Sequence, residues 1–365
     1  MNLLNIYQPA SPALDPEMLT NAANLAAINA HERDIFISFQ EEGHKYTITA
    51  PESPPDAQYV SVTTWIHHQF PQFDADKVIS NIMRSRKWGP SNVYWGKTPE
   101  EIKAGWAKNG EEASRAGTEM HFAIECFYNN PQLPAGYTHR ELLEQYYSEY
   151  ETVEVDVDAD ATDTFDPSPE ETPAETPEDT PAIYQTKEWE YFLQFVADHP
   201  DLEPFRTEWM VYHEEAHICG SIDMIYRNTQ DGTLMIFDWK RAKTMSKTNT
   251  FETATNPHIG YLPNSNYWHY ALQLNTYKYI LQEKYGHIIA PPEGAPNPAE
   301  RQPAAELPTN AHTYPFDAQT IEGDLYLIRL HPDAAGYEKI GVPNMQSVVR
   351  ELFTTRQQTT TAVEH

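Results

Sequence analysis

Cysteine is nearly absent from the chain: Cys126 and Cys219 are the only two in 365 residues. Two thiols cannot form a disulfide framework, and they are too few for a cysteine-ligated zinc or an iron–sulfur cluster. Both stand among apolar neighbours, where a buried thiol is expected. Long hydrophobic runs are missing as well. No stretch of eighteen apolar residues occurs, so no membrane-spanning helix is expected. Met1 to Asp15 follows neither the basic-then-apolar plan of a secretory signal nor the Arg-rich plan of a transit peptide. Together these absences lead to the expectation of an intracellular protein. A glycine-rich phosphate loop is also lacking, which removes a common device for gripping a small nucleotide.

Positive charge is scarce, with 25 Lys and Arg against 54 Asp and Glu and a net charge of −29. The deficit is uneven. Ser148 to Thr180 carries thirteen acids and no Lys or Arg, among repeated Thr-Pro and Glu-Thr pairs. Such composition cannot bury a core, and segment 148–181 is expected to be a disordered, solvated insertion. A second stretch, 290–311, is rich in Pro and Ala and is expected to be a flexible loop. Basic residues gather elsewhere. Seven lie between Arg84 and Arg115, interleaved with Trp88, Tyr94, Trp95 and Trp106. Lys240, Arg241, Lys243 and Lys247 form a second run without an acid. Cations mixed with aromatic rings suit a strand of phosphates and stacked bases. Either cluster alone reads as ordinary surface; their place beside a pair of acids gives them meaning.

Those acids lie in Gly220-Ser-Ile-Asp223 and Ile236-Phe-Asp238-Trp-Lys240. Val211 to Tyr226 and Leu234 to Trp239 read as strands, and Asn228-Thr-Gln-Asp-Gly232 is turn chemistry, which predicts an antiparallel hairpin. Asp223 and Asp238 then face each other across it, and period two places Lys240 on the side of Asp238. Two close carboxylates repel unless a cation or a proton joins them. A hard divalent ion resolves the conflict, so Mg²⁺ or Mn²⁺ is the cofactor expected.

Around this centre the pattern alternates. Asp34–Phe39 and Lys45–Thr49 read as strands, Ser61-Val-Thr-Thr opens a helix, and a second helix follows over Phe73–Arg84. Pro99–Trp106 and Ala113–Tyr128 are helical in pattern, the latter with His121 and Glu125 at i and i+4. Lys187–Ala197 is an amphipathic helix, and Phe205-Arg-Thr-Glu208 begins the strand that leads to the hairpin. Tyr267 to Leu281 is a strongly periodic helix carrying Gln273 and Tyr277, again at i and i+4. A strand at Leu325–Leu330 and a helix at Met345–Thr355 close the chain. The expected fold is α/β, a central mixed sheet flanked by helices, with residues 1–116 as a lead-in and 117–355 as the core.

The succession Gly-Thr-x-x-His, Glu-Trp, Gly-x-Ile-Asp, Asp-x-Lys and Gln-x-x-x-Tyr, in a stretch from about Gly117 to Leu330, resembles the PD-(D/E)XK nuclease superfamily. Its RecB-like exonucleases, with mitochondrial genome-maintenance and viral members, are the branch it looks most like. The resemblance implies a restriction-endonuclease-like core and a metal-dependent DNA exonuclease. Its substrate would be single-stranded DNA or DNA ends, in replication, recombination or repair. It further implies that His121, Asp223, Asp238 and the backbone carbonyl of Trp239 hold the metal, with Glu125 as a further candidate. Lys240 would serve the attacking water, either as base or as a charged positioning group. Glu208 matches an auxiliary acid, while Gln273, Tyr277, Arg241 and Lys243 would support the site or the substrate strand. Where many relatives carry Glu this chain has Asp238, a shorter arm that bears on the choice between Mg²⁺ and Mn²⁺. Lacking the cysteines that some relatives use, the chain is expected to hold no iron–sulfur cluster. Two rival readings are a catalytically silent nucleic-acid-binding or scaffold protein on the same fold, and a phosphoesterase of small nucleotides. The intact acid–acid–lysine set speaks against the first, and the missing phosphate loop against the second.

Overall fold

Polar caps decide where several helices begin. The computed structural model describes residues 25–40, 43, 45–54, 57–129, 186–286 and 323–363. Segments 148–181 and 290–311 and the stretch Met1 to Asp15 lie outside the described residues. A single turn α1 (Leu25–Ile28) leads to the hairpin β1 (Ile37–Gln40) and β2 (Lys45–Ile48), then to β3 (Val60–Ser61) and α2 (Val62–His67). Next come α3 (Ala75–Arg84), α4 (Pro99–Asn129) and α5 (Lys187–Asp198). Strands β4 (Leu202–His213), β5 (Ile218–Asn228) and β6 (Leu234–Lys240) precede α6 (Asn266–Lys284), and β7 (Leu325–Arg329), β8 (Glu338–Gly341) and α7 (Gln346–Val363) complete the order. Ser61, Asp74 and Thr186 each accept a hydrogen bond from the third residue beyond them, satisfying an amide that the first helical turn leaves orphaned.

The main sheet is mixed. β5 pairs antiparallel with β4 along its length and with β6 over Met224–Arg227. β6 pairs parallel with β7, β7 antiparallel with β8, and β3 parallel with the start of β5. Because β4 occupies one edge of β5, β3 and β6 must share the other, at opposite ends of it. Residues 220–223 lie in the interval between those two partners. That interval is where the site is built.

Alternation along the strands fills two cores. Leu234 and Ile236 of β6, with Leu325 and Leu327 of β7, pack against α2, α6 and α7. Met235, Phe237, Trp239, Tyr326 and Ile328 pack on the opposite face against α4 and α5. The result is a three-layer α/β/α sandwich, the mixed sheet flanked by helices that the sequence pattern predicts. Helix α6 is buried on almost every side, with Tyr267, Leu272, Leu274, Ile280 and Leu281 all within the core.

Some elements differ from expectation. The stretches at Pro99–Trp106 and Ala113–Tyr128 form one continuous helix, so the boundary between 116 and 117 falls inside α4. β3 and β8 are too short to announce themselves as strand periods, and they exist because a neighbouring strand offers them hydrogen bonds. α7 runs on to Val363 rather than ending at Thr355. Of the two cysteines Cys219 is buried, but Cys126 is only partly so. Burial pushes both thiols up to about 12, leaving neither a thiolate near neutral pH. No helix among the described residues is long and apolar enough to cross a membrane.

Candidate active site

Three elements converge on the interval in β5. The α4 helix brings His121, β4 brings Glu208, and β5 itself brings Asp223. One ligand atom from each lies within 4.8 Å of the other two. Glu208 stands opposite Asp223, between the pairs Thr207↔Met224 and Trp209↔Ile222. It adopts φ 40°, the left-handed region that residues other than glycine avoid. Such strain persists only where the surroundings over-determine it, and it is concentrated at functional sites. On β5 the strict alternation also breaks: Ile222 belongs to one core and Met224 to the other, two residues apart. The strand turns over at Asp223.

Hydrogen bonds hold the group in place. Trp239 N–H donates to Asp223 Oδ2 at 3.1 Å, replacing a ladder bond where β5 and β6 part. Ser221 Oγ–H donates to Glu208 Oε2 at 2.8 Å. His121 Nε2 lies 3.0 Å from the Trp239 carbonyl. Nε2 therefore carries hydrogen and donates it, an arrangement that fixes the ring and turns Nδ1 toward the acids. Nδ1 is 3.6 Å from Asp223 Oδ2 and 3.7 Å from Glu208 Oε1. On the far side of Trp239, Lys240 Nζ lies 2.9 Å from Asp238 Oδ2. The two form a buried ion pair, in which the ammonium opposes the rise that burial imposes on the Asp238 carboxyl. Lys240 also stands 4.5 Å over the Tyr270 ring. A cleft of about 650 Å³ opens over these groups, lined by His121, Glu125, Glu208, Lys240, Arg241 and Gln273.

A model of the PD-(D/E)XK nuclease superfamily matches residues 98–307, more than half of the chain. The chain belongs to the PD-(D/E)XK nuclease superfamily. A search of curated proteins finds no match. The matched segment begins at the residue before α4 and takes in every residue of the His121–Glu208–Asp223 group, with Asp238 and Lys240. Membership supports a metal-dependent nuclease, a phosphodiester hydrolase acting on nucleic acid.

The donor set fits the divalent ion that PD-(D/E)XK nucleases use. Two carboxylates and an imidazole suit Mn²⁺, and the carboxylate and carbonyl oxygens suit Mg²⁺ as well. The electrostatics show the same need for positive charge. Burial lowers the pKa of His121, but Asp223 and Glu208 outweigh it and hold the imidazolium up to about 9. Burial raises Asp223 too, against the attraction of His121. Asp238 is pushed up to about 7, chiefly by burial, with Lys240 opposing the rise and Asp223 adding to it. The cluster recruits protons because it holds more anionic charge than its buried setting tolerates. Since the ring is protonated below about pH 9, it must release that proton to become a ligand. Mn²⁺ binding near neutral pH is therefore expected to release about one proton, and to tighten with rising pH until about 9. Calorimetry in two buffers of different ionisation enthalpy measures this. A buffer-independent enthalpy would show that Nδ1 is not displaced.

The remaining residues singled out in the sequence of this PD-(D/E)XK chain are distributed as follows. Glu208, expected as an auxiliary acid, stands in the close group, whereas Asp238 and Glu125 stand outside it. The Trp239 carbonyl accepts from His121 and retains a second lone pair. Gln273 lines the cleft and hydrogen-bonds the buried Tyr277 phenol. Tyr277 presses on Gly220, where an added Cβ would sit 2.8 Å from its hydroxyl. Only glycine fits that contact, because the ring is too deeply buried to retreat. Arg241 Nε donates to Glu188 at 2.8 Å, and Lys243 lies 3.4 Å from Asp333. Both are thus engaged with carboxylates of the chain itself. Along the basic–aromatic stretch, Lys103, Lys108 and Arg115 pair with Asp76, Glu112 and Glu119, while Arg84, Arg86, Lys87 and Lys97 are exposed.

Proposed function

We propose that the protein is a Mg²⁺- or Mn²⁺-dependent DNA exonuclease of the RecB-like branch, working on single-stranded DNA or DNA ends in replication, recombination or repair. The observation that carries this reading is one cleft holding a compact His–Glu–Asp group beside a buried Asp–Lys pair, in a chain of this superfamily. His121, Glu208 and Asp223 would hold the ion. When bound, the ion supplies charge neutralisation for the phosphoryl oxygens and a lowered pKa for a coordinated water. The chain's own groups do the rest. Lys240, steadied by Asp238 and Tyr270, presents an amine to the cleft, where it orients the attacking water or takes its proton. The Trp239 carbonyl orients His121, and the Asp223 carboxylate is aligned by the Trp239 amide. Gln273 lines the cleft from α6 and would support the site or contact the substrate strand.

The test is release of label from end-labelled single-stranded and duplex DNA in Mg²⁺, Mn²⁺ or EDTA, with Asp223→Ala as control. Wild type is expected to cut in at least one metal, with activity lost in EDTA and lowered about 10²-fold or more in the variant. The labelled end that is released first gives the polarity. A wild-type protein that binds DNA and cuts it with neither metal would instead be a binding or scaffold module.

A further inference from the structure

A second large cavity, about 850 Å³, adjoins the cleft, and His67 and His269 line both. One wall is α3 with the residues that follow it, including Lys87 and Asn92; the other is the chain between β6 and α6, including Thr248, Asn249 and Phe251. That second wall is heavily braced. Asn249 Oδ1 accepts from the backbone N–H of Phe251 at 2.9 Å and of Glu252 at 3.1 Å. Its Nδ2 donates to the Asn264 carbonyl at 2.6 Å, and Asn266 Nδ2 donates to the Thr244 carbonyl at 2.8 Å. Thr253 and Pro263 form a β-bridge across the loop. The bracing presents Phe251 to solvent with 93% of its surface exposed. Holding a phenyl ring in water is unfavourable unless a flat apolar partner covers it.

The surroundings indicate the partner. Phe73, also on the cavity wall, is 39% exposed, and Trp95 on the neighbouring loop is 48% exposed. Among the described residues of the lining, Lys87 is the one Lys or Arg and Glu252 the one acid; the other polar groups are amides, hydroxyls and the two imidazoles. A duplex offers mainly phosphates to such a surface and would call for several cations. Unpaired bases offer π-faces to stack and edges for amides and hydroxyls. Resting on the reading of the cleft as a phosphodiesterase, we propose that this cavity receives the unpaired bases of the single-stranded polynucleotide being cut, with Phe251 as a stacking platform. Lys87, and Arg84, Arg86 and Lys97 outside the cavity, then meet the phosphates of the strand as it leaves.

The experiment measures affinity of the full chain for fluorescent single-stranded oligonucleotides in EDTA, where no cutting occurs. Phe251→Ala is expected to weaken binding by about 5- to 100-fold, and Phe251→Trp to keep or improve it. A blunt duplex is expected to lose little. Because Phe251 lies outside the core, both variants should melt with the wild type. Matched DNA and RNA strands show which sugar is accepted. Unchanged single-strand affinity in Phe251→Ala, an equal loss on duplex, or no single-strand binding by wild type overturns the proposal. Binding without metal is read independently of cleavage, so a catalytically silent wild type would sink the exonuclease reading while this assay still decides the stacking platform.

Discussion

Lys240→Ala is expected to slow cleavage of end-labelled single-stranded DNA by about 10³-fold or more. Lys240 is the lysine of the cleft lining, with its side chain 17% exposed, held between Asp238 and Tyr270. Whether the amine takes a proton from the attacking water or only orients it, both roles disappear with the side chain. A second effect compounds the loss. Burial already pushes Asp238 up to about 7 with Lys240 opposing it. Without that cation the carboxyl rises further and is protonated at neutral pH, so the variant also loses an anion beside the metal group. The two losses share one pair, so Lys240→Ala/Asp238→Asn is expected to be little worse than the worse of its parents. Single-turnover kinetics at saturating Mn²⁺ measure this, with metal-free DNA binding as a check on the fold. Activity of Lys240→Ala within about tenfold of wild type would remove Lys240 from the chemistry.

Asp324→Ala should destabilise the protein by about 3–5 kcal/mol. Asp324 precedes β7 and forms an ion pair with Lys278 of α6, the two side chains being 11% and 6% exposed. Removing the carboxylate takes the close counter-charge from an ammonium in a nearly dry setting, and the cost is chiefly desolvation rather than the small net worth of the pair. In a chain of this size each kcal/mol lowers Tm by about 2–4 °C, so a drop near 10 °C is anticipated in a thermal melt. Replacing both partners by apolar residues should recover most of it. A double variant that melts no higher than Asp324→Ala would mean the pair has a role apart from mutual neutralisation. The position carries through to the site. The Asp324 carbonyl accepts from Ile236 N–H at 2.8 Å, and β7 pairs with β6 through Asp238↔Leu327 and Lys240↔Arg329. Loosening Asp324 therefore loosens the strand that carries Asp238 and Lys240.

The hairpin at the centre was legible because local chemistry specifies it. Asn228 to Gly232 can scarcely do anything but turn, and Gly232 sits at φ 74°. The alternating apolar residues of β6 name their two faces. The helix start at Ser61 was legible for the same reason, since a cap involves residues three apart in sequence, whereas the cap at Asp74 sets the start of α3 two residues past the expected Phe73. Gly220 was visible as a letter of a motif, but its reason was not: it is glycine because Tyr277, fifty-seven residues later, lies against it. Glu208 was legible only as an auxiliary acid at the start of a strand. Its place among His121 and Asp223 depends on a left-handed backbone in mid-strand, a conformation that strand periodicity does not foresee. Arg241 and Lys243 read as support for the site or the substrate strand; that Glu188 and Asp333 lie against them was not legible, because those partners are distant in sequence.

By itself the sequence determined the α/β alternation, an acid on each strand of a hairpin with a lysine two residues past the second, and a histidine on a preceding helix. Those features are local, set by the periods of strand and helix and by side-chain chemistry within a few residues. Only the tertiary structure decided that β3 and β6 leave an interval on the same edge of β5, and that β4 delivers Glu208 opposite it. Only the tertiary structure brought the loop carrying Phe251 beside α3 to wall a second cavity. Those arrangements depend on which strand edge meets which partner and how far each ladder runs, and many distant contacts settle that together.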